Sequence, residues 1–429
     1  MRTDEGRGAI GGAVVCEPVA QTRPQPQQNA ASRPAPLSIA LLTGGQDPHY
    51  AIGLGTALIE QNVTLDVIGS DDMNGPEFQG NPHARLHNLH GMQNSASLAQ
   101  KIIGILLFYM RLLRYTLTAQ PKIFHILWNN KLPVFDRTLI MLLYKLRGKK
   151  IVFTAHNVNA GKRDQRDSWL NRITLRCQYA LADHIFVHTQ KMKDELVEEF
   201  GVKPERVTVI PYGINNAVPF TELTGEEARG RLGLRKSEKV ILYFGAIKQY
   251  KGLEYLVAAF QKIAARGDYR LIIAGEQKKG YEEYWRSIRQ TIERDPSREK
   301  ILQKIEFIPD AETEAYFKAA DVAALPYVDI FQSGILFMAY NYGLPVIGTD
   351  VGSFSEDIVE GKTGFVCKPR DPDDLAAMIE RYFETDLYRD LDHRRQGIRD
   401  NALSQHSWAT VGRMTRDVYS ELLRPASYS

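Results

Sequence analysis

The chain has 429 residues, of which 44% are hydrophobic, 10% aromatic and 24% charged. These proportions are those of ordinary folded proteins, and they exclude collagen-like, low-complexity and membrane-channel chains. The length predicts two or three domains. With 54 Lys and Arg against 51 Asp and Glu, the net charge of +3 is too small to indicate nucleic-acid binding. Three well-separated cysteines favour neither a disulfide framework nor a zinc site, so we expect a cytoplasmic protein.

Residues 1–37 contain five prolines among Gln, Arg, Ala and Gly, with little periodic apolar content. Such a segment buries too little apolar surface to offset the entropy lost on ordering. We therefore predict a disordered tail. The tail also lacks a basic start followed by a continuous apolar core, and we expect no cleaved signal peptide.

From residue 38 onwards, short apolar runs alternate with longer amphipathic stretches, the pattern of a parallel sheet flanked by helices. A first series of predicted strands covers residues 38–42, 63–68, 123–127, 151–154, 184–188 and 207–210. A second series follows a Pro-Tyr-Gly hinge and covers residues 240–244, 271–274, 305–308, 322–325 and 346–347. The sequence therefore predicts an α/β protein with two Rossmann-like domains, residues 38–212 and 213–405.

Residues 101–150 are strongly basic, with ten Lys and Arg against one acid, Asp136, a net charge of +9. Their longest uncharged apolar run, residues 102–110, is about half of what a bilayer span needs. On a helical projection Arg111 and Arg114 share one polar stripe, and apolar side chains occupy the rest. Two interpretations remain open: a helix that docks on an anionic membrane surface, or a buried domain helix with a solvated basic edge.

Glycines and polar residues follow predicted strands of the first domain. Gly44 and Gly45 come after the first strand, where a glycine turn lets a ligand or another backbone approach. His156 and Asn157 end a later strand, where a histidine can hydrogen-bond a substrate hydroxyl or phosphate. Each feature also has a structural alternative, a common turn or a local backbone contact. The next loop adds two polar candidates for the same cleft, Lys162 and Arg163.

The second domain begins with a glycine loop that carries two lysines. Gly245 permits close approach, and Lys248 and Lys251 can converge on a diphosphate as point charges. Solvated lysines are the alternative interpretation. It is less natural, because cations near a helix N-terminus oppose the helix dipole unless an anion lies there.

A second anion site is predicted where an apolar helical run begins after Gln332. The free backbone N–H groups of Ser333, Gly334 and Ile335 would bind an anion without any side-chain charge. Ser333 can also act as an ordinary N-cap. The two interpretations are compatible.

At these residues the chain resembles the family-four retaining glycosyltransferases, which have the GT-B architecture of two facing Rossmann-like domains. The resemblance covers about residues 38–423, and residues 406–429 resemble the family's final helix, which packs back on the first domain. It is carried by Gly44-Gly45, His156-Asn157, the hinge 209–213, the loop from Gly245 to Gly252, and residues 273–275, 320–327, 343–347 and 350–356.

The resemblance implies a transferase that moves a sugar from a nucleotide-sugar donor to an acceptor hydroxyl with retained configuration, in polysaccharide or glycolipid assembly at the inner face of the membrane. The second domain would bind the donor and the first a lipid-linked or saccharide acceptor. No metal or other cofactor is expected, since lysines and helix N-termini stabilise the leaving diphosphate. The implied roles are catalytic for His156, Lys248 and Lys251; donor-binding for Gly245, Glu276, Ser333, Gly334, Ile335 and Glu356; and acceptor-binding for Gly44, Gly45, Asn157, Lys162 and Arg163.

Two positions depart from the family's pattern. Ala246 stands where the family usually has an arginine, and Met338 stands where it usually has a glutamate, which places the chain in a subgroup with Gln-Ser-Gly. A thioether is a weak hydrogen-bond acceptor. We therefore predict that donor affinity rests on the diphosphate, with the ribose bound weakly or through Glu276 or Glu356.

Two other functions remain open at this stage. A GT-B nucleotide-sugar epimerase would need acid/base carboxylates in the cleft. A catalytically silent GT-B subunit would act only as a binding partner, and the absent glutamates make this alternative relevant. The sequence does not disclose the sugar, the nucleotide or the acceptor.

Overall fold

The computed structural model describes residues 37–70, 73–89, 98–163, 167–214 and 218–424. The predicted disordered tail lies outside these residues, except for its last residue, Leu37, which begins the first strand. The described chain forms two parallel sheets, each covered by helices.

The first half of the chain builds a sheet of seven strands. These are β1 (Leu37–Leu42), β2 (Val63–Gly69), β3 (Ala84–Asn88), β4 (Ile123–Ile126), β5 (Lys150–Thr154), β6 (His184–Val187) and β7 (Val207–Val209). They are all parallel and lie in the order β3-β2-β1-β4-β5-β6-β7. The order changes direction between β1 and β4, and such a switch point opens a crevice at the carboxyl ends of the strands.

The second half builds a sheet of six strands on the same plan. These are β8 (Lys239–Phe244), β9 (Tyr269–Ala274), β10 (Ile301–Lys304), β11 (Val322–Leu325), β12 (Val346–Thr349) and β13 (Gly364–Cys367). They are parallel, in the order β10-β9-β8-β11-β12-β13. The switch point here lies between β8 and β11. The α/β class and the two Rossmann-like sheets predicted from the sequence are thus confirmed.

Three strands differ from the prediction. The strand predicted at residues 305–308 is wrong, since β10 ends at Lys304 and pairs Ile301 with Leu271. The apolar residues that suggested this strand include Phe307, which lies in a loop and is 69% exposed. Strands β3 and β13 were not predicted, because β3 is a half-exposed edge strand without an apolar run and β13 is a short edge strand that begins with a glycine.

Seventeen helical segments connect and cover the described strands. They are α1 (Pro48–Glu60), α2 (Leu98–Thr118), α3 (Pro133–Phe135), α4 (Met141–Leu146), α5 (Ala160–Arg163), α6 (Trp169–Leu181), α7 (Gln190–Phe200), α8 (Gly225–Arg231), α9 (Leu253–Ile263), α10 (Glu282–Arg294), α11 (Asp310–Ala319), α12 (Gly334–Asn341), α13 (Phe354–Asp357), α14 (Pro372–Tyr382), α15 (Asp386–Arg389), α16 (Leu391–Gln405) and α17 (Trp408–Leu422). A π-helical stretch, Asp136–Ile140, joins α3 to α4.

The last helix, α17, packs against α1 of the first half of the chain. Val411 and Tyr419 are fully buried in the same core cluster as residues of α1. The Tyr419 hydroxyl also bonds His125 Nδ1 of β4 at 2.5 Å. Where the chain crosses back, Trp408 Nε1 donates to the carbonyl of Ile214 at 2.8 Å. This hydrogen bond connects the start of α17 to the segment that leads from the first half of the chain to the second.

Candidate active site

A cavity of about 640 Å³ lies at the carboxyl ends of both sheets and is lined by residues of both halves of the chain. This is where the switch points of the two sheets predict a ligand site. Eight of the residues proposed from the sequence line it. They are His156, Asn157, Arg163, Lys248, Lys251, Ser333, Gly334 and Ile335.

His156 is the end of a short hydrogen-bond chain. His188 Nδ1 lies 3.4 Å from the carbonyl of Ile210 and His188 Nε2 lies 3.1 Å from His156 Nδ1. A carbonyl can only accept, so His188 donates from Nδ1 and accepts at Nε2 from His156. His156 Nε2 is then a bare acceptor, and it is buried without a partner. A substrate hydroxyl in the cavity is the group that would complete the chain.

The imidazoles of His156 and His188 are both neutral near pH 7. Burial lowers the pKa of His188 to about 4. Burial, and then the neighbouring His188, hold the pKa of His156 well below its usual range. His156 therefore serves as a hydrogen-bond acceptor and carries no positive charge there.

Aromatic side chains fix the His156 ring. Trp128 stacks on it with a centroid distance of 4.1 Å and nearly parallel planes, and Tyr50 contacts it edge-on at 4.6 Å. Gly44 and Gly45 form a left-handed turn after β1. A Cβ on Gly44 would lie 2.4 Å from the Trp128 carbonyl oxygen, so glycine lets this turn close over the Trp128 backbone. The two glycines shape the cavity wall and do not line the cavity.

Lys251 is a buried cation without a counter-ion in the described part of the chain. It is only 8% exposed, and no described side chain forms an ion pair or hydrogen bond with its ammonium group. Burial lowers its pKa, and nearby Arg163 lowers it further. A buried ammonium is costly unless it is paired. Lys251 thus marks the place in the cavity where an anion would be stabilised most.

Arg163 reaches this cation cluster from the first half of the chain. Its guanidinium lies 4.4 Å from the centre of the Tyr250 ring, and the Lys248 ammonium lies 5.9 Å from the same ring. The sequence analysis assigned Arg163 to the acceptor. The structure brings it close to Lys248 and Lys251 of the second half of the chain.

Two backbone features complete this anion site. A Cβ on Gly245 would lie 2.9 Å from Lys251 Nζ and 3.4 Å from Ile335 Cδ1, so glycine leaves the ammonium accessible from the loop. Helix α12 begins at Gly334, and the Ser333 side chain makes no capping hydrogen bond. The first N–H groups of α12 are therefore available to a ligand.

Three other proposed residues lie outside the cavity. Lys162 points to Glu199, with Nζ 2.7 Å from Oε1, and lies 3.9 Å from Glu195. Glu276 is paired with Lys278. Glu356 is exposed on α13. The structure therefore gives none of the three a contact with a ligand in the cavity.

Gln332 and Asp357 are candidates that the sequence analysis missed. Gln332 lines the cavity and its Oε1 is buried without a partner. Asp357 accepts from Gln332, and burial raises the pKa of this carboxyl to about 6. The sequence carried little signal for this pair, since the two residues are far apart along the chain, one in the loop before α12 and the other in α13. Together they offer a hydroxyl acceptor near α12.

Arg111 and Arg114 lie on α2, away from the cavity. Both arginines are exposed, and the Arg111 guanidinium donates to the Leu89 carbonyl at 3.2 Å. One side of α2 is buried in the domain core through Phe108 and Leu112, and its exposed side is largely apolar, with Ile102, Ile103, Leu106, Met110 and Leu117 each more than 50% exposed. Among the described helices, none is both long and apolar enough to cross a membrane.

In the described ranges, no three His, Cys, Asp or Glu side chains come together as metal ligands would. The only carboxylate that lines the cavity among the described residues is Asp47. It caps α1 by accepting from the Tyr50 N–H at 3.1 Å, and Tyr212 donates to it at 3.4 Å. The charged groups of the cavity are therefore mostly cations.

Sequence comparison finds two family matches that together span most of the chain. The family described as "Glycosyltransferase Family 4" matches residues 48–218. The family described as "Glycosyl transferases group 1" matches residues 238–385. The first match covers strands β2 to β7 of the first sheet, and the second covers strands β8 to β13 of the second sheet.

Curated relatives and solved structures are similar to this chain over most of its length. D-inositol 3-phosphate glycosyltransferase of Corynebacterium diphtheriae is 28% identical over 304 residues, which are 65% of this chain and 67% of that protein. Sucrose-phosphate synthase of Thermosynechococcus elongatus has a similar structure, with a TM-score of 0.72 at 20% identity over 90% of this chain and 99% of that one. Anabaena HepE in complex with UDP-glucose has a TM-score of 0.69 at 15% identity over 90% and 100%.

Proposed function

We propose that this chain, which belongs to the family-four glycosyltransferases of GT-B architecture, transfers a sugar from a nucleotide-sugar donor to an acceptor hydroxyl with retained anomeric configuration. The observation that carries the proposal is the buried Lys251, which has no counter-ion among the described residues and lies near Arg163 and Lys248 at the start of α12. A nucleoside diphosphate is the anion that fits several cations and a helix N-terminus at once.

In the proposed reaction, the bond between the sugar C1 and the diphosphate oxygen breaks, and negative charge develops on that oxygen. Lys251 lies in a site of low dielectric, where its charge stabilises the leaving diphosphate more than it would in water. The acceptor hydroxyl attacks C1 from the same side and gives its proton to the departing phosphate. The His156 Nε2 atom accepts a hydrogen bond from a sugar hydroxyl and so fixes the ring.

Arg163 offers an explanation for the missing arginine at position 246. Its guanidinium reaches the anion site from α5, at 4.4 Å from the Tyr250 ring. We infer that Arg163 supplies the planar charge that relatives take from the glycine loop. Because Arg163 belongs to the first half of the chain and Lys251 to the second, the complete cation cluster exists only when the cleft is closed.

The cavity argues against the two alternative functions. An epimerase needs a carboxylate free to exchange protons, whereas Asp47 is engaged as the cap of α1. In a silent subunit, a buried Lys251 without a counter-ion among the described residues would only lower the stability of the fold. An apolar residue at this position would avoid the cost of burying the charge.

We also propose that the first domain docks on an anionic membrane at the inner face, in the assembly of a glycolipid or polysaccharide. Of the seventeen large hydrophobic side chains that are exposed in the described chain, fourteen lie between residues 102 and 173. This region includes most of the basic segment 101–150, whose net charge is +9. Apolar side chains beside Lys and Arg are the combination that an anionic lipid surface binds.

The test is transfer by the purified chain. UDP-glucose is the first donor to try, because the neighbouring Anabaena structure contains it, and ADP- and GDP-sugars follow in a thermal-shift screen. The proposal expects stabilisation by at least one donor and slow release of its nucleoside diphosphate. Donor binding with conversion to an epimer would support the isomerase, and binding without any turnover in the presence of acceptors would support the silent subunit.

A further inference from the structure

Arg137 is a further cation in the cavity, outside the cluster of Arg163, Lys248 and Lys251. It lies in the π-helical stretch between α3 and α4 and lines the cavity. Its Nη1 donates to Asn171 Oδ1 at 2.8 Å and to Thr174 at 3.3 Å. Its Nε is buried and has no partner. No carboxylate of the described residues forms an ion pair with it.

The surroundings of Arg137 compensate its charge only in part. The charge of the adjacent Asp136 favours the guanidinium, but its carboxylate forms no ion pair with it and accepts instead from Tyr109 at 3.0 Å and Asn130 at 3.1 Å. Asn171 and Thr174, which hold Arg137, are neutral. Burial lowers the pKa of the Arg137 guanidinium, which records the cost of desolvating it. A partly buried guanidinium with neutral hydrogen-bond partners and an unused donor is suited to a bidentate oxyanion.

The chain segment that carries Arg137 is apolar on its other side. Leu132, Val134, Leu139, Leu142 and Leu146 are exposed by 45% to 76%. Helix α6, which packs on this segment, adds Trp169 at 77% exposure. Tryptophan is enriched where proteins meet the membrane interface. The apolar surface and the cavity cation are therefore two faces of one short segment.

We propose that the acceptor is a membrane lipid whose headgroup carries a phosphate, and that Arg137 binds this phosphate while the exposed side chains of the same segment enter the lipid layer. This inference rests on the proposed function and names the class of its acceptor. A neutral glycolipid would offer the Arg137 guanidinium no anion, and a soluble acceptor would leave the apolar face uncovered. A lipid with a phosphate in its headgroup would supply the anion and cover the apolar face at the same time.

Binding of soluble probes tests the proposal without knowledge of the natural lipid. The full chain, saturated with UDP, is titrated calorimetrically with octyl phosphate, 1-octanol and inorganic phosphate. We expect octyl phosphate to bind at least tenfold more tightly than either of the other two. Arg137→Gln should remove the preference for octyl phosphate over octanol, and Arg137→Lys should keep part of it, because lysine retains the charge without the fork geometry.

Arg176→Gln is the matched control, since Arg176 is an exposed arginine of α6 that does not line the cavity. It should bind octyl phosphate as the wild type does. UDP affinity should change less than twofold in Arg137→Gln, which shows that the variant is folded. The proposal is overturned if Arg137→Gln keeps the preference, or if inorganic phosphate binds as tightly as octyl phosphate. Failure of the wild type to bind any nucleotide would instead refute the proposed transferase.

Discussion

Replacing Lys251 with methionine separates the function of the buried charge from its cost to folding. Methionine has a similar length, so the packing against Tyr327, whose ring centre lies 5.3 Å from the Lys251 ammonium, is largely kept. The variant loses the cation beside the diphosphate. It also loses a buried charge that has no counter-ion among the described residues.

The two effects have opposite signs. A cation and an anion about 4 Å apart interact by about 4 kcal/mol at an effective dielectric constant of about 20, in the range of the roughly 10²- to 10³-fold loss in turnover seen when one stabilising donor is removed. The unfolding midpoint without ligand should stay equal or rise, since burial of the ammonium opposes folding. Turnover should therefore fall, while the unfolding midpoint without ligand stays equal or rises.

Nucleotide-induced stabilisation measures the same contact at equilibrium. At a UDP concentration of about 100 times the wild-type Kd, ligand binding stabilises the wild type by about 2.7 kcal/mol. A hundredfold weaker variant would retain only about 0.4 kcal/mol at that concentration. Lys362→Met is the control, because Lys362 is an exposed lysine of the same domain. Wild-type turnover and a wild-type UDP response in Lys251→Met would refute the assignment of the diphosphate site.

Three further predictions test separate parts of the account. Arg163→Ala should lower kcat/KM by about tenfold or more, and Ala246→Arg in that background should restore part of it; no recovery would show that Arg163 does not replace the family arginine. Leu106→Glu with Arg114→Glu should reduce co-sedimentation with anionic liposomes, with high salt weakening wild-type binding; wild-type indifference to such liposomes at low salt would refute docking. A 2′- or 3′-deoxyribose nucleotide should lose less than a hundredfold in affinity, because Met338 offers no strong hydroxyl acceptor; a larger loss would point to a strong ribose contact, for which Gln332 is the candidate.

The alternation of apolar runs was enough to predict the fold class and most of the strands. Parallel strands buried on both faces read as continuous apolar runs, and β1, β4, β8 and β11 are of this kind. Strands were missed or misplaced where the burial of their side chains is incomplete. Edge strand β3 has no apolar run, and the apolar letters at residues 305–308 belong to an exposed loop beyond β10.

The site was predicted in part, for a physical reason. Lys251, Lys248 and residues 333–335 follow strands or begin a helix, so their position at the cleft could be derived from local pattern. Arg163 was placed at the cleft because it follows β5, but its proximity to Lys248 and Lys251 could not be derived. Arg137 could not be placed at all, since the sequence shows only that it is a basic residue in a basic region.

Glu276 and Glu356 were named as possible acceptors for the donor ribose, and that role stays a prediction. In the structure Glu276 is paired with Lys278 and Glu356 is exposed, while the neighbouring Asp357 is the carboxyl that accepts from Gln332. One residue along a helix turns a side chain by about 100°, and composition cannot show which of two adjacent carboxyls faces inward.

The most direct test of the central claim is the anomeric configuration of the sugar after turnover. The purified chain is incubated with the donor selected by thermal shift and with an alkyl phosphate that also carries a free hydroxyl group, and the anomeric proton of the product is followed by NMR from the first turnovers. The account predicts release of nucleoside diphosphate together with a glycoside that keeps the configuration of the donor. A product of inverted configuration, or an epimerised donor without release of nucleoside diphosphate, would contradict it.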